Sequence, residues 1–504
     1  MKKISIIFLI LLLGVSLRLY NLDKFSFWFD EALGVLQAKN PEAIIIQKDT
    51  APPLYIFFLY YWNKISDSDF GLRLPSLIFG SISILMIYLL GKLLFTEKIS
   101  FIGAFLLAIS PFHIYYSQEA RMYSLMPLLT LLSTYFLIKS LKNENPLSWL
   151  GYIIFNILNL YCHYIALFIW LAQNIFPLLV YKKSDNKLKK IWLVSNILIF
   201  LSFLPWLLLI SSTIKKGLNT PLENCYWIPL WPPPVTLKSL FMTFKNFSIG
   251  YNAVRKIYLI AITIFFFFFV KGIIKIRKYK SLILCLLCLL IPILGLFFIS
   301  KVKPVYVDRY FIASSLFYYL IVAVGISSLS KRWVALNLSV ICILSALSLK
   351  NYYNNFLPYS YREHIGVQNR KDHRALAKYI ADKFQKGDGI YHTYRITIYP
   401  FMYYSNRLDG EVKQLKDRNI CLSFSKETDK LIPLEFDLFG RFADRSSDIS
   451  LDNHKRIWLF FSSWYEPKEY ELEVLRRVNE NYKNIDYKAF DGITVYLYEN
   501  ERKN

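Results

Sequence analysis

The chain has 504 residues, 55% of them hydrophobic and 17% aromatic, with only 19% charged and a formal charge of +24. A soluble protein of this size carries about a quarter charged residues, so an ordinary soluble enzyme is excluded and a membrane protein is expected. The positive charge does not point to nucleic acid, because basic residues flanking membrane spans on the cytoplasmic side account for it.

In chain order, the first apolar segment, about 4–20, follows Lys2 and Lys3. No small-residue cleavage site follows Arg18, so it reads as an uncleaved first span with its N-terminus in the cytoplasm. The next, PPLYIFFLYYWNKI over 52–65, has 14 residues. A span needs about 20. Its tyrosines and tryptophan favour the membrane interface, so it is expected to lie along the outer surface. Further spans are expected near 73–91, 99–113, 121–141, 147–161, 163–181, 191–211, 255–271, 281–300, 309–329 and 332–349, eleven in all with the first. The loops 92–98, 139–146, 182–190, 271–280 and 331–332 then hold sixteen basic residues against Glu97, Glu144 and Asp185. Were 52–65 a span, all of these would face outward, against the positive-inside rule. The loops 21–72, 114–120, 212–254 and 301–308 are therefore external.

Residues 1–350 are expected to form an all-α polytopic membrane domain and 351–504 a small extracytoplasmic α/β domain. In the tail, 372–386 has helical spacing, 390–399 reads as a strand, 456–462 as a buried strand, 466–482 as a charged helix, and 484–490 with 493–499 as a hairpin turning at Asp491-Gly492. Cys285 and Cys288 form a C-x-x-C inside an apolar run, where a buried pair on one helix face is the better reading than a redox or zinc site. The phenylalanines 265–269 are expected to face lipid.

Four external motifs could carry chemistry. Asp30-Glu31 directly follows the first span, and Asp30 is either a catalytic carboxylate or the cap of a short helix. Adjacent helical residues point about 100° apart, so only one of the two can serve the reacting atom. The run from Ser110 to Tyr123 concentrates His113, Glu119, Arg121 and tyrosines between two spans, where ionisable groups are costly and point to function. Asp49 stands just before Pro52-Pro53 and could be a metal ligand, a substrate contact or a turn residue. Lys303, Arg309 and Tyr310 form a basic cluster outside, where guanidinium and ammonium groups suit a phosphate. His163 lies at the outer boundary of two spans. Asp67-Ser68-Asp69 matches the D-x-D of nucleotide-sugar enzymes but follows no strand and faces a compartment without nucleotide sugars, so it is set aside.

Asp30-Glu31, Pro52-Pro53-Leu54-Tyr55, Arg73-Leu74-Pro75-Ser76 and the run Tyr116 to Tyr123, in that order, resemble the GT-C fold glycosyltransferases that use polyprenyl-phosphate sugars, of the protein O-mannosyltransferase and aminoarabinose-transferase type. The resemblance covers about 5–330, and more loosely Asp372-His373-Arg374 and Tyr403-Tyr404. It implies a donor sugar on a polyprenyl phosphate, an extracytoplasmic acceptor (glycolipid, protein or wall glycan) and inversion at the anomeric carbon. It makes Asp30 the catalytic carboxylate, Glu119 an acid of the same site, and Arg309 and Lys303 the phosphate-binding residues. Glu31, Asp49, Arg121, Tyr123, His163 and Tyr310 complete the expected substrate site. Relatives carry a metal-binding acid or histidine, or a lysine, before the Pro-Pro. Asp49, Thr50 and Ala51 stand there in this chain, leaving Asp49 as the candidate for a divalent metal. The competing readings are a transporter or flippase of lipid-linked sugars, a polymerase or ligase of lipid-linked glycans, and a non-catalytic receptor for them. No internal repeat favours the transporter.

Overall fold

A computed structural model of the chain describes residues 2–39, 52–143, 145–181, 186–219, 234–276, 280–358, 367, 369–393, 395–405, 407–408, 419–424, 431–434, 454–462 and 468–500. The membrane part consists of helices α1 (Lys2–Leu19), α2 (Phe29–Ala38), α3 (Leu54–Trp62), α4 (Asp69–Leu94), α5 (Glu97–Ile109), α6 (Pro111–Ser117), α7 (Leu125–Asn143), α8 (Pro146–Cys162), α9 (Ala166–Val180), α10 (Asn186–Asn219), α11 (Leu237–Ile249), α12 (Arg255–Ile276), α13 (Lys280–Val302), α14 (Ile312–Ser327) and α15 (Lys331–Tyr353).

Among the described residues, seven helical segments are long and apolar enough to cross a membrane: α4, α7, α10, α12, α13, 308–327 and α15. An eighth is the pair α5 and α6, bent by 58°. Helices α8 and α9 are shorter apolar helices, and α1 carries Lys2, Lys3 and Arg18 on 18 residues. Together these match the eleven expected segments in position. Helix α3, at nine residues, is too short to span. Every residue from Ile312 to Ile326 is buried, so α14 is the axis of the bundle.

The bend before α6 follows from sequence. Pro111 cannot donate to the preceding turn, which leaves carbonyls at the end of α5 without helical partners. The buried guanidinium of Arg18 fills that gap, donating to the carbonyls of Leu107 (3.1 Å) and Ala108 (3.0 Å) and to Ser117 Oγ (3.2 Å). Gln118 reciprocates through Nε2, which donates to the carbonyls of Arg18 and Tyr20 at 2.8 and 2.7 Å. Gln118 is thus a cap for α1.

Helices α12 and α14 touch backbone to backbone. A Cβ on Gly325 would fall 2.0 Å from the Phe268 carbonyl oxygen, and one on Gly272 would fall 2.1 Å from that of Ile321. Small residues let membrane helices approach in this way. Gly325→Ala should therefore force the pair apart at a cost of about 1–3 kcal/mol, read as a lower Tm of the purified protein in detergent. The phenylalanine run only partly faces lipid. Phe266 and Phe267 are exposed, but Phe265 and Phe268 are buried, with Phe265 stacked on Tyr318 at 6.1 Å. Five successive helical residues sweep more than a full turn, so they cannot share one face. Cys285 and Cys288 are both fully buried on α13.

Contacts gather the N-terminus and the segments around 93–98, 142 and 327 at one end. Lys3 pairs with Glu97 at 2.6 Å, Lys142 donates to the Leu93 carbonyl at 2.7 Å, and Lys98 to the Ser327 carbonyl at 2.8 Å.

The tail contributes α16 (His373–Ala381), β1 (Gly389–His392), α17 (Ile398–Ser405), β2 (Asn419–Phe424), β3 (Leu431–Leu434), β4 (Arg456–Ser462), α18 (Lys468–Val478), β5 (Tyr482–Phe490) and β6 (Ile493–Asn500). The six strands form one sheet in the order β3-β2-β1-β4-β6-β5, with β1 parallel to β2 and β4 and the other pairs antiparallel. The expected hairpin closes at Gly492, whose φ of 77° suits glycine. The strand expected over 390–399 is only four residues long. It gives way to a 3-10 turn at Arg395–Thr397 and to α17, whose Tyr403 and Tyr404 pack on the membrane part. The helix expected over 372–386 ends at Ala381.

Candidate active site

The loop after α1 turns into α2 at Trp28, whose backbone is extended. The capping alternative for Asp30 does not hold: Trp28 is the cap, and its N–H points to Glu31 Oε2 at 3.5 Å. Asp30 is instead left partly open at 18% side-chain exposure, with Oδ2 3.3 Å from the buried Arg309 guanidinium. Arg309 lies on a 3-10 turn, Asp308–Phe311, just ahead of α14. Arg121 approaches from the other side and donates to the Asp30 carbonyl at 3.2 Å. Among the described residues its buried Nε has no hydrogen-bond partner. Gly34 makes room for it, because a Cβ there would stand 3.1 Å from the Arg121 guanidinium.

Aromatic rings wall in the arginine. The Arg309 guanidinium carbon is 5.5 Å from the Trp28 ring centre, 5.4 Å from Tyr123 and 6.0 Å from Tyr310. Tyr123 and Tyr310 stack at 6.5 Å, and His163 sits 4.8 Å from Tyr310. His163 Nδ1 accepts from the Ile165 N–H at 3.1 Å, which leaves the other ring nitrogen as the proton carrier of the neutral imidazole. Arg309 is fixed from behind by its neighbour Asp308, which accepts from Asn246 Nδ2 and from the Tyr251 hydroxyl at 3.1 Å. Tyr251 in turn bonds Tyr116 at 2.8 Å.

Glu31 faces the opposite way from Asp30, into a fully buried ion cluster. Arg73 grips it with two bonds of 2.8 Å, Arg370 donates at 3.2 Å, and the Ala120 N–H donates at 2.9 Å. Burial alone would raise its pKa, but Arg73, Arg370 and the Ala120 N–H outweigh that and hold it below the usual carboxylate range. Both oxygens of Glu31 are engaged within this cluster. Glu119 is also fully buried, bonded through Oε1 to Arg370 at 2.6 Å. Burial pushes its pKa up, to about 7, against the pull of Arg370. Its other oxygen, Oε2, is buried without a hydrogen-bond partner among the described residues. Lys303 stands half-buried just after α13. Asp49 lies outside the described residues.

Arg370 was not singled out in the sequence. It lies in a polar stretch of the tail with no periodicity, and only the need of two buried acids for a counter-ion could have pointed to it. Asp69, the second acid of the discounted D-x-D, is a docking point for the tail. It accepts from Tyr404 (2.6 Å), Arg374 (2.7 Å) and Tyr403 (2.9 Å). Among the described residues no three histidines, cysteines or acids converge in a way that could hold a metal ion.

Residues 50–209 match the profile of the family described as dolichyl-phosphate-mannose-protein mannosyltransferase. The apo crystal structure of ArnT from Cupriavidus metallidurans superposes with a TM-score of 0.63 at 10% identity, over 99% of this chain and 98% of that one. The chain has the GT-C glycosyltransferase fold. The same ArnT bound to undecaprenyl phosphate gives a TM-score of 0.61 at 9% identity, over 97% of each chain. The Archaeoglobus fulgidus oligosaccharyltransferase AglB, in complex with an inhibitory peptide and a dolichol-phosphate, gives 0.52 at 12% identity, over 100% of this chain and 74% of that one. No curated protein sequence matches. The GT-C fold places this chain among multi-pass membrane proteins with a helical membrane part and a small α/β tail.

Proposed function

We propose that the chain transfers a sugar from a polyprenyl-phosphate carrier to an acceptor on the extracytoplasmic side of the membrane, with inversion. The contact between Asp30 and Arg309 carries this reading. It sets a partly open carboxylate against a buried cation at the end of the bundle away from Lys3 and Lys142.

Such a donor already has a good leaving group, so the reaction needs a base for the acceptor and a cation for the phosphate. Asp30 takes the proton of the acceptor hydroxyl as its oxygen bonds to the anomeric carbon. The bond from that carbon to the phosphate oxygen breaks, and its electron pair leaves with the polyprenyl phosphate. Arg309 and the buried Nε of Arg121, which has no hydrogen-bond partner among the described residues, receive that charge. The phosphate competes with Asp30 for Arg309, so donor binding frees the carboxylate for the acceptor. Inversion asks that the acceptor oxygen, as Asp30 takes its proton, reach the anomeric carbon from the face opposite the leaving phosphate. The aromatic wall of Trp28, Tyr123 and Tyr310 keeps water from the cation, which strengthens its pull. The lipid carriers bound to ArnT and AglB support the donor class. The outward orientation of the site follows from the basic loops at the opposite end.

Arg309→Ala should weaken binding of undecaprenyl phosphate by about tenfold to a hundredfold, the usual range for a charge-assisted hydrogen bond. Thermal stabilisation of the purified protein by that lipid measures the loss. An unchanged affinity would remove the phosphate from this site.

A further inference from the structure

The membrane part holds a groove of about 350 Å³ where the ends of α7, α9 and α10 meet. Leu141, Pro177, Tyr181, Leu188 and Trp192 line it, together with the exposed Lys189. It lies at the Lys3 and Lys142 end of the bundle, because Lys142, next to Leu141, donates to the Leu93 carbonyl. The length of α9 explains why space is left there. It has 15 residues and so rises about 22 Å, less than the roughly 30 Å of a bilayer's hydrocarbon core. Pro177 and Tyr181 stand in and just after its last turn, and something apolar has to fill the space beside them.

Size and walls select an alkyl chain. The volume falls within the range of about 300–1,000 Å³ usual for ligand pockets, and apolar walls offer water few partners. Charge then selects what the chain carries. Besides Lys189, Lys280 reaches the wall, with Nζ 4.8 Å from the centre of the Tyr181 ring. Among the described residues neither lysine pairs with a carboxylate. Basic pockets between membrane helices on the cytoplasmic side suit acidic lipid headgroups. A zwitterionic headgroup would bring its own ammonium against the two lysines, and an anionic one would not. Tyr181 and Trp192 are of the residue types that sit at headgroup level. The Trp192 indole N–H is buried with no hydrogen-bond partner among the described residues, and it can only donate. An ester carbonyl or phosphate oxygen is the acceptor that a lipid offers at that depth.

We propose that this groove binds one anionic phospholipid from the leaflet that the basic loops make cytoplasmic. An acyl chain lies between the ends of α7, α9 and α10, the headgroup phosphate meets Lys189 and Lys280, and a lipid oxygen accepts from Trp192. The bound lipid ties the three helix ends together. The site is at the opposite end of the bundle from Asp30 and does not depend on the function proposed above.

The test titrates the full purified chain in detergent with dioleoyl phosphatidylglycerol or dioleoyl phosphatidylcholine and counts bound lipid by native mass spectrometry. The wild type should retain one phosphatidylglycerol more tightly than phosphatidylcholine by about tenfold to thirtyfold, the effect of two lysines near a membrane surface. Lys189→Gln with Lys280→Gln should erase that preference while Tm without lipid stays unchanged. Lys187→Gln with Lys190→Gln removes the same charge from α10 beside the groove lining and should keep the preference. Trp192→Phe keeps an aromatic ring, removes the N–H and should weaken both lipids by about threefold to tenfold. Equal retention of the two lipids by the wild type would overturn the proposal. So would an equal loss of preference in the two lysine pairs, which would reduce it to diffuse attraction by a basic face. Undiminished binding in Trp192→Phe would do the same, as would a lipid-free dimer that the Lys189 and Lys280 changes break, which would give the groove to a second copy of the chain.

Discussion

Asp30→Asn should lower turnover by about 10²–10⁴-fold, the usual contribution of a general base, while the protein still folds and inserts. The carboxylate is partly open, carries no part of the buried cluster and differs from the amide by little volume, so the fold does not depend on it. A second quantity separates this reading from mere disturbance of Arg309. In the resting protein the Asp30 carboxylate and a donor phosphate compete for the same guanidinium. Removing the negative charge should leave undecaprenyl phosphate affinity unchanged or raise it, while sugar transfer collapses. Affinity and turnover falling together would mean that Asp30 only holds Arg309 in place. Full turnover in Asp30→Asn would end the assignment.

Arg73→Ala should be the most destabilising single change near the site. Arg73 is 2% exposed and supplies two of the bonds to Glu31, which is wholly buried. Breaking a buried pair from one side strands the other charge, at a cost of about 3–5 kcal/mol. Arg73 also donates to the carbonyls of Leu22 (3.0 Å) and Phe25 (2.8 Å), so the whole loop before Asp30 would loosen. The expected result is a large drop in Tm in detergent and poor recovery of folded protein. The double variant Glu31→Gln with Arg73→Met should recover part of the loss, because no carboxylate is then stranded. Additive losses in the double-mutant cycle would show that the two residues act independently.

The membrane part was legible because its signals are long and physical: apolar runs of span length, and lysines confined to alternate loops. The short segment at 52–65 stood apart from the spans by its length, and α3 has nine residues. Asp30, Arg309, Arg121 and Tyr123 could be nominated from residue type and from their place beside spans, and the fold brings them together. What sequence did not separate was Glu31 from Asp30. Neighbours on a helix face different ways, and which one met the buried arginines depended on Arg73 and Arg370, one 42 residues and the other 339 residues away. The strand misread over 390–399 failed for the same reason. Ile390 and Tyr391 are strand as expected, but Ile398 and Tyr399, which share that strand propensity, open α17 and are buried there, with Tyr399 5.1 Å from Phe29. Tertiary contact overrode local preference.

The tail is joined to the reacting centre by charge. Arg370 links Glu31 to Glu119, and Arg374 and the tyrosine pair reach Asp69. Every one of these bonds runs between the membrane part and residues beyond 369. The α/β tail is thus part of how Glu31, Glu119 and Asp69 are held.

The most direct test follows a labelled sugar carried on undecaprenyl phosphate in proteoliposomes that contain the purified chain and envelope glycolipid or glycoprotein as acceptor. The account predicts that label passes to the acceptor while free undecaprenyl phosphate appears in equal amount, and that Asp30→Asn abolishes both. Labelled lipid that crosses the bilayer with its sugar still attached, at the same rate in both proteins, would contradict it.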